Sequence, residues 1–528
     1  MREVKDYIPD DVAIRPEARR PVDDPTLGID VDVERAGSPR NRLVTIGDSL
    51  THGFQSGAVF NTDLSYSAII ARELGWPELR YPTYPGVGGL PLNIEFLLRD
   101  LVASFGEQLN WWEVPFALFR AREFADRVED YWERGPGAVT PVVRSFRHVL
   151  AVYGWDLRDA LDRTAARALS EIGPPSDDLL DQLVSDDQAR AALRVLPNAT
   201  PADRNRTVFD VASALGEQVG DSADDGADDG ADTGIETLVV FLGSNNALGT
   251  VTELRLVWSG EGYDDLDRKG GYTIWRPSHF AAELDHVAEQ VSQIRARHVI
   301  WCTVPHVTIA PLARGIGDRE PGSPYFAYYT RPWISESDFD PRRDPHITGE
   351  QARAVDSAID QYNEAITAVV TEARRNGLDW YLLDTAGILD RLAARRYRDD
   401  LSSRPPWWTP YPLPPALAAL DPVPDTRFLT TVDGRRATGG LFSLDGVHPT
   451  TVGYGILAQE LIRVMERAGV QFRMPDGTPR ASPVQVDFDR LIRRDTLINR
   501  PPANLTSALG VLGWADEVLN LFGLSLPF

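Results

Sequence analysis

Arg42-Leu-Val-Thr-Ile-Gly-Asp-Ser-Leu50 is the stretch on which the fold turns. Its first five residues form a short β-rich run, Gly47 and Asp48 break it, and a helical pattern follows from Tyr66 to Leu74. Four more such runs recur at His148–Val152, Thr237–Leu242, His298–Thr303 and Trp380–Asp384. Each is continuous rather than alternating, and most are joined through helical patterns such as Phe280–Arg297 and Gln351–Asn376. A strand that is apolar on both sides is buried on both faces, as in a parallel sheet sandwiched between helices. The expected fold is an α/β, doubly wound three-layer sandwich on a mostly parallel five-stranded sheet, enlarged by long insertions.

The chain has 528 residues, of which 43% are hydrophobic, enough for a substantial core. Its 39 prolines and 42 glycines imply much irregular loop, which favours one enlarged domain over three small ones. With 54 basic and 78 acidic side chains the formal charge is −24. That argues against nucleic-acid binding and against docking on anionic membranes, since both need clustered Lys and Arg. Lysine occurs only at Lys5 and Lys269, and the single cysteine, Cys302, cannot form an intramolecular disulfide. Met1–Asp11 carries six charged residues and no apolar core of a secretory signal. No uncharged apolar run approaches the ~18–20 residues of a membrane span, so no integral membrane segment is expected. The expectation is a soluble protein, cytoplasmic by default, or secreted if a leader has been removed.

Residues 1–40 read as a charged arm, 41–470 as the core domain, and 471–528 as an extension packed on it. The core is interrupted at about 76–145, 165–235, 248–278, 312–346 and 394–440. The first interruption carries Trp111, Trp112 and Trp132, and the last two are rich in proline and aromatics. The Asp-rich segment 221–232 misses the spacing of an EF-hand calcium loop and reads as a solvated loop. Leu505–Phe528 is apolar but lacks basic residues, so it reads as a docking helix rather than a membrane anchor.

Reactive groups in an open parallel sheet collect at the carboxyl ends of its strands. Ser49 follows the first strand at a turn where a serine exposes its hydroxyl and its own amide, although an isolated serine there is usually an N-cap. Asp445-Gly-Val-His448 precedes the last helical pattern. A spacing of three on a tight turn lets a carboxylate hold imidazole Nδ1–H and leaves Nε2 free as a base. Alone, that pair is a capping Asp and a chance His. Gly243-Ser-Asn245 ends the most apolar strand with a carboxamide able to donate to an oxyanion, or else with a turn asparagine. Gly154, after the second strand, offers a further amide, and Gly86, Gly88 and Gly89 compete for that role.

Gly47-Asp48-Ser49-Leu50, Gly154, Gly243-x-Asn245 and Asp445-x-x-His448, in that order, resemble the four sequence blocks of the GDSL, or SGNH, hydrolases. The resemblance covers roughly residues 42–157, 237–310 and 440–468 in short blocks, with an unusually long interval between the first and second. It implies a flavodoxin-like sandwich, no metal and no cofactor, and a Ser-His-Asp hydrolase of esters. Ser49 would be the nucleophile and His448 the base oriented by Asp445. The amides of Ser49 and Gly154 and the side chain of Asn245 would form the oxyanion hole.

His52, three residues from Ser49, is a weaker candidate base expected to point along the first turn toward solvent. Cys302 and His306 lack the further ligands of a zinc site; Cys302 reads as a small buried thiol, while His306 at a strand end is placed to touch substrate. Trp155 is positioned to wall the site, and Trp407-Trp408 forms either a substrate platform or a surface strap. The expected activity is hydrolysis of a small-molecule or lipid carboxylic ester through an acyl-serine. The alternatives are a carbohydrate O-acetyl esterase or acyltransferase on the same fold, and a non-catalytic binding module.

Overall fold

Five strands make the central sheet of the computed structural model: β1 (Pro39–Gly47), β2 (Val149–Ala151), β3 (Asp232–Phe241), β4 (Ala296–Cys302) and β5 (Trp380–Leu383). They lie in the order β2-β1-β3-β4-β5, and every pairing is parallel. The structure describes residues 8–505 apart from 16, 33–38, 108, 111, 176–183, 185, 218–231, 320–322 and 504. Trp111, nearly all of the Asp-rich segment and the apolar stretch beyond 505 lie outside the described residues.

Successive side chains point to opposite faces, so each strand feeds two cores. Val44, Ile46, Val240 and Trp301 face one, which is closed by α5 (Pro277–Ser292) and α6 (Gly349–Arg375). Here Phe280 stacks on Tyr362 with ring centroids 4.0 Å apart. Leu43, Val239, Phe241 and Ile300 face the other, closed by α2 (Tyr66–Glu73), α8 (Thr451–Ala468) and α9 (Phe488–Arg494). Three short helices follow strands directly: α1 (Ser49–His52), α3 (Leu157–Asp162) and α4 (Asn245–Thr252). Another, α7 (Thr385–Leu392), follows β5. No helix among the described residues is long and apolar enough to cross a membrane.

The additions are more ordered than a reading as irregular loop implies. Within the 312–346 segment Arg314–Arg319 and Phe326–Thr330 pair antiparallel and are joined by Ile347–Thr348, and Thr430–Val432 pairs with Arg435–Thr438 in the 394–440 segment. Local antiparallel pairing satisfies backbone groups that a long loop would leave to water. Residues of the N-terminal arm run along α6 and the β5 edge, where Pro25 O accepts from Leu382 N at 2.9 Å and Ile29 O accepts from the Arg374 guanidinium. An otherwise open sheet edge is thereby covered.

Gly47 closes β1 between Ala151 of β2 and Phe241 of β3. A Cβ there would lie 2.0 Å from Thr51 Oγ1 and 2.7 Å from the Phe241 carbonyl oxygen, so the turn into α1 requires glycine. Overpacking of this kind costs about 1–3 kcal/mol. Gly47→Ala is expected to lower the unfolding free energy by about 2–3 kcal/mol in urea denaturation at unchanged m. Wild-type stability in that variant would show that the turn has slack.

Candidate functional site

The order of the sheet reverses between β1 and β3, and a crevice forms there beyond the carboxyl ends of the strands. Ser49 enters it from β1. Asp48 is the N-cap of α1, its carboxylate accepting from Leu50 N at 3.1 Å, and Gly53 in the left-handed region ends the helix after one turn. Ser49 is therefore held at a helix start with its amide pointing outward. Burial pushes the Asp48 carboxyl up to about 6, against the pull of the Leu50 amide and of His448.

His448 Nε2 is 2.8 Å from Ser49 Oγ, and its Nδ1 is 3.1 Å from Asp445 Oδ2. With Nδ1–H donating to Asp445, Nε2 is the acceptor for the serine hydroxyl. Asp445 Oδ1 accepts from the amides of Val447 (2.9 Å) and His448 (2.8 Å), and Oδ2 also accepts from Gly57 N at 3.0 Å. Burial alone would raise this carboxyl, but His448 and the amide donors outweigh it and hold it below the usual carboxylate range. Phe54 packs its ring 4.6 Å from the imidazole, and Tyr454 donates to the Phe54 carbonyl at 2.7 Å.

Among the described residues the amides of Ser49 and Gly154 donate to no protein acceptor. The Asn245 carboxamide donates one N–H to Trp155 O at 2.8 Å, which ties the end of β3 to that of β2 and leaves its second N–H free. Gly154 adopts φ +78° at the end of the strand beside β1, whereas Gly88 and Gly89 belong to a turn leading into the short strand Leu90–Pro91. The Gly154 turn is held on two sides. Lys269 Nζ bridges Asp156 (2.7 Å) and Asp159 (2.8 Å), and Tyr153 N donates to His52 Nδ1 at 3.2 Å.

His52 thus departs from expectation. It is buried rather than facing solvent, bonds Tyr84 Oη at 2.7 Å, and burial lowers its pKa to about 3, so it serves as a neutral strut. Trp155 is fully buried and Trp408 buried, with its Nε1 donating to Asp390 O. Trp407 and Trp408 pack with Tyr397 in a separate cluster. None of these three tryptophans lines the cavity at Ser49.

That cavity, about 150 Å³, is walled by Leu248, Val307, Ile388, Leu389, Leu441 and Ile456 beside Ser49 and His448. His306 also lines it, held between Asp390 (3.1 Å) and Asp360 (3.0 Å). Burial opposes its charge, yet those carboxylates and Asp356 raise its pKa well above the ordinary histidine value. Cys302 is buried in β4, where burial raises its thiol pKa. No group of three His, Cys, Asp or Glu among the described residues is placed to hold a metal ion. Sequence reasoning missed Phe54 and Gly57, whose only signal was the turn-forming Gln55-Ser-Gly57, and the apolar face of α7. No family model matches the chain, nor does any curated protein.

The raised Asp48 pKa has a stability consequence. Folding favours its protonated form, so the contribution is complete below the unfolded value of about 3.9 and is lost as pH rises through about 6. Wild type is expected to lose roughly 3 kcal/mol relative to Asp48→Asn across that window. Parallel stability–pH curves for the two proteins would contradict it.

Proposed function

We propose that this protein is a serine-dependent carboxylic ester hydrolase of the GDSL/SGNH type. The observation that carries the reading is the continuous chain Asp445 Oδ2–His448 Nδ1, His448 Nε2–Ser49 Oγ at 3.1 and 2.8 Å, at the sheet's switch point. The strand order, read from the β2 edge as 2-1-3-4-5, is that of flavodoxin-like sheets, in keeping with the family resemblance.

Ser49 Oγ attacks the ester carbonyl carbon as its proton passes to His448 Nε2, and Asp445 stabilises the imidazolium. The tetrahedral oxyanion is held by the amides of Ser49 and Gly154 and the free N–H of Asn245. Its collapse expels the alcohol, which takes the proton from His448. Water, deprotonated by the same imidazole, then releases the acid and restores Ser49. The apolar walls favour a hydrocarbon acyl group over the polar surroundings of a carbohydrate acetate. A cavity of this volume is about the size of one that accepts benzene, which suits an acyl chain of roughly four to six carbons.

Ser49→Ala is expected to lower kcat by about 10³-fold or more and to abolish labelling by a fluorophosphonate. Turnover near wild type would sink the nucleophile assignment. Each buried methylene gains about 0.8 kcal/mol, so kcat/KM for p-nitrophenyl esters should rise by up to about 10²-fold from acetate to hexanoate. Ile388→Trp, which fills the cavity, should flatten that rise. A steep preference for acetate would move the assignment to an O-acetyl esterase.

A further inference from the structure

A second cavity, about 180 Å³, lies beside the acyl cavity and shares Ala310 and Thr426 with it as walls. Four guanidiniums line it: Arg314, Arg395, Arg396 and Arg427. Two are neutralised, Arg396 by Asp356 at 2.8 Å and Arg427 by Asp425 and by Asp399 at 2.6 Å. Arg314 and Arg395 are not. Each is partly buried, donates one Nη2 bond to a carbonyl (Ile334 O at 2.8 Å, Gly315 O at 2.7 Å), and has a buried Nε–H without an acceptor. Neither forms an ion pair among the described residues.

In a chain of net charge −24, carboxylates are plentiful, yet none forms an ion pair with either arginine; Glu336 acts on Arg314, and Asp399 on Arg395, only from beyond ion-pair distance. Burial, then the repulsion of Arg314 and Arg319, lowers the pKa of Arg395 against the pull of Asp399. Uncompensated buried charge is costly, and an arginine fork matches the paired oxygens of carboxylate and phosphate. We propose that this cavity is an anion subsite that receives a carboxylate or phosphate group carried by the substrate, placed by the shared wall next to the scissile ester. The anion subsite stands on its own geometry; its assignment to the substrate rests on the hydrolase reading.

The test uses inorganic phosphate as the probe, titrated by calorimetry into the full-length protein at constant ionic strength set with chloride. Wild type should bind one equivalent saturably. Arg395→Gln should weaken binding about tenfold or more, with Arg395→Lys intermediate, since bonds to charged groups are worth that much. Arg314→Gln serves as the second variant if Arg395→Gln fails to fold by circular dichroism. Ser49→Ala should bind phosphate as wild type does, which separates the site from catalysis. In the kinetic arm, the ratio of kcat/KM for mono-p-nitrophenyl succinate to that for p-nitrophenyl butyrate should fall about tenfold in Arg395→Gln, and phosphate should compete only with the succinate ester. Absent phosphate binding, or binding equal in wild type and both Gln variants, overturns the site. Arginine-dependent binding with an unchanged substrate ratio shows a free inorganic anion as the ligand and overturns the substrate assignment. Inactivity on every ester with intact phosphate binding overturns the hydrolase reading, and the substrate assignment with it, while the anion site stands.

Discussion

Asp445 takes four hydrogen bonds on one buried carboxylate, and the geometry of the site depends on that group. Two come from its own turn and set the loop, one comes from Gly57 just beyond α1, and one comes from the imidazole. A single carboxylate thus joins segments almost four hundred residues apart, and its donors keep it ionised despite burial. The neighbouring serines repeat the link, with Ser56 N donating to Ser443 Oγ at 2.8 Å and Leu444 N to Ser56 Oγ at 3.3 Å. Ser49 and His448 are therefore registered by buried hydrogen bonds between the loops that carry them.

Arginine and aspartate organise the surroundings in the same way. Arg19 of the N-terminal arm pairs with Asp384, which also caps α7 and accepts from Thr303, and α7 supplies one wall of the cavity at Ser49. His306 is clamped between Asp360 of α6 and Asp390 of α7 on the rim of that cavity. Breaking one partner of such a buried pair leaves an uncompensated charge, so these networks are costly to disturb even where their net stabilisation is small.

The five strands were legible because buried parallel strands are continuous apolar runs, and each sequence run overlaps its strand. The helical patterns at Tyr66, Phe280 and Gln351 likewise fall on α2, α5 and α6, whose apolar residues recur at helical spacing. The tryptophans illustrate the opposite case. Trp132 is fully buried with its Nε1–H donating to Gly89 O at 2.7 Å, and Trp155 packs in the core, so an aromatic beside a reactive residue did not reveal which way it faced. His52 misled for the same reason: its environment comes from Tyr84 and Tyr153, which sequence distance conceals.

The sequence by itself determined the class of sheet, the sites at which strands hand over to helices, the presence of Ser49, Gly154 and Asn245 at such points, and that of Asp445 and His448 in a turn ahead of a helix. Local residue type dictates strand, turn and cap, and these act over a few residues. Only the tertiary structure decided that Ser49 Oγ and His448 Nε2 stand 2.8 Å apart, that hydrocarbon side chains from α4, α7 and α8 close one cavity, and that two arginines without carboxylate partners meet in another. Those facts depend on strand order and on long-range packing. Distance, burial and charge balance arise between segments far apart in the chain, and no local pattern records them.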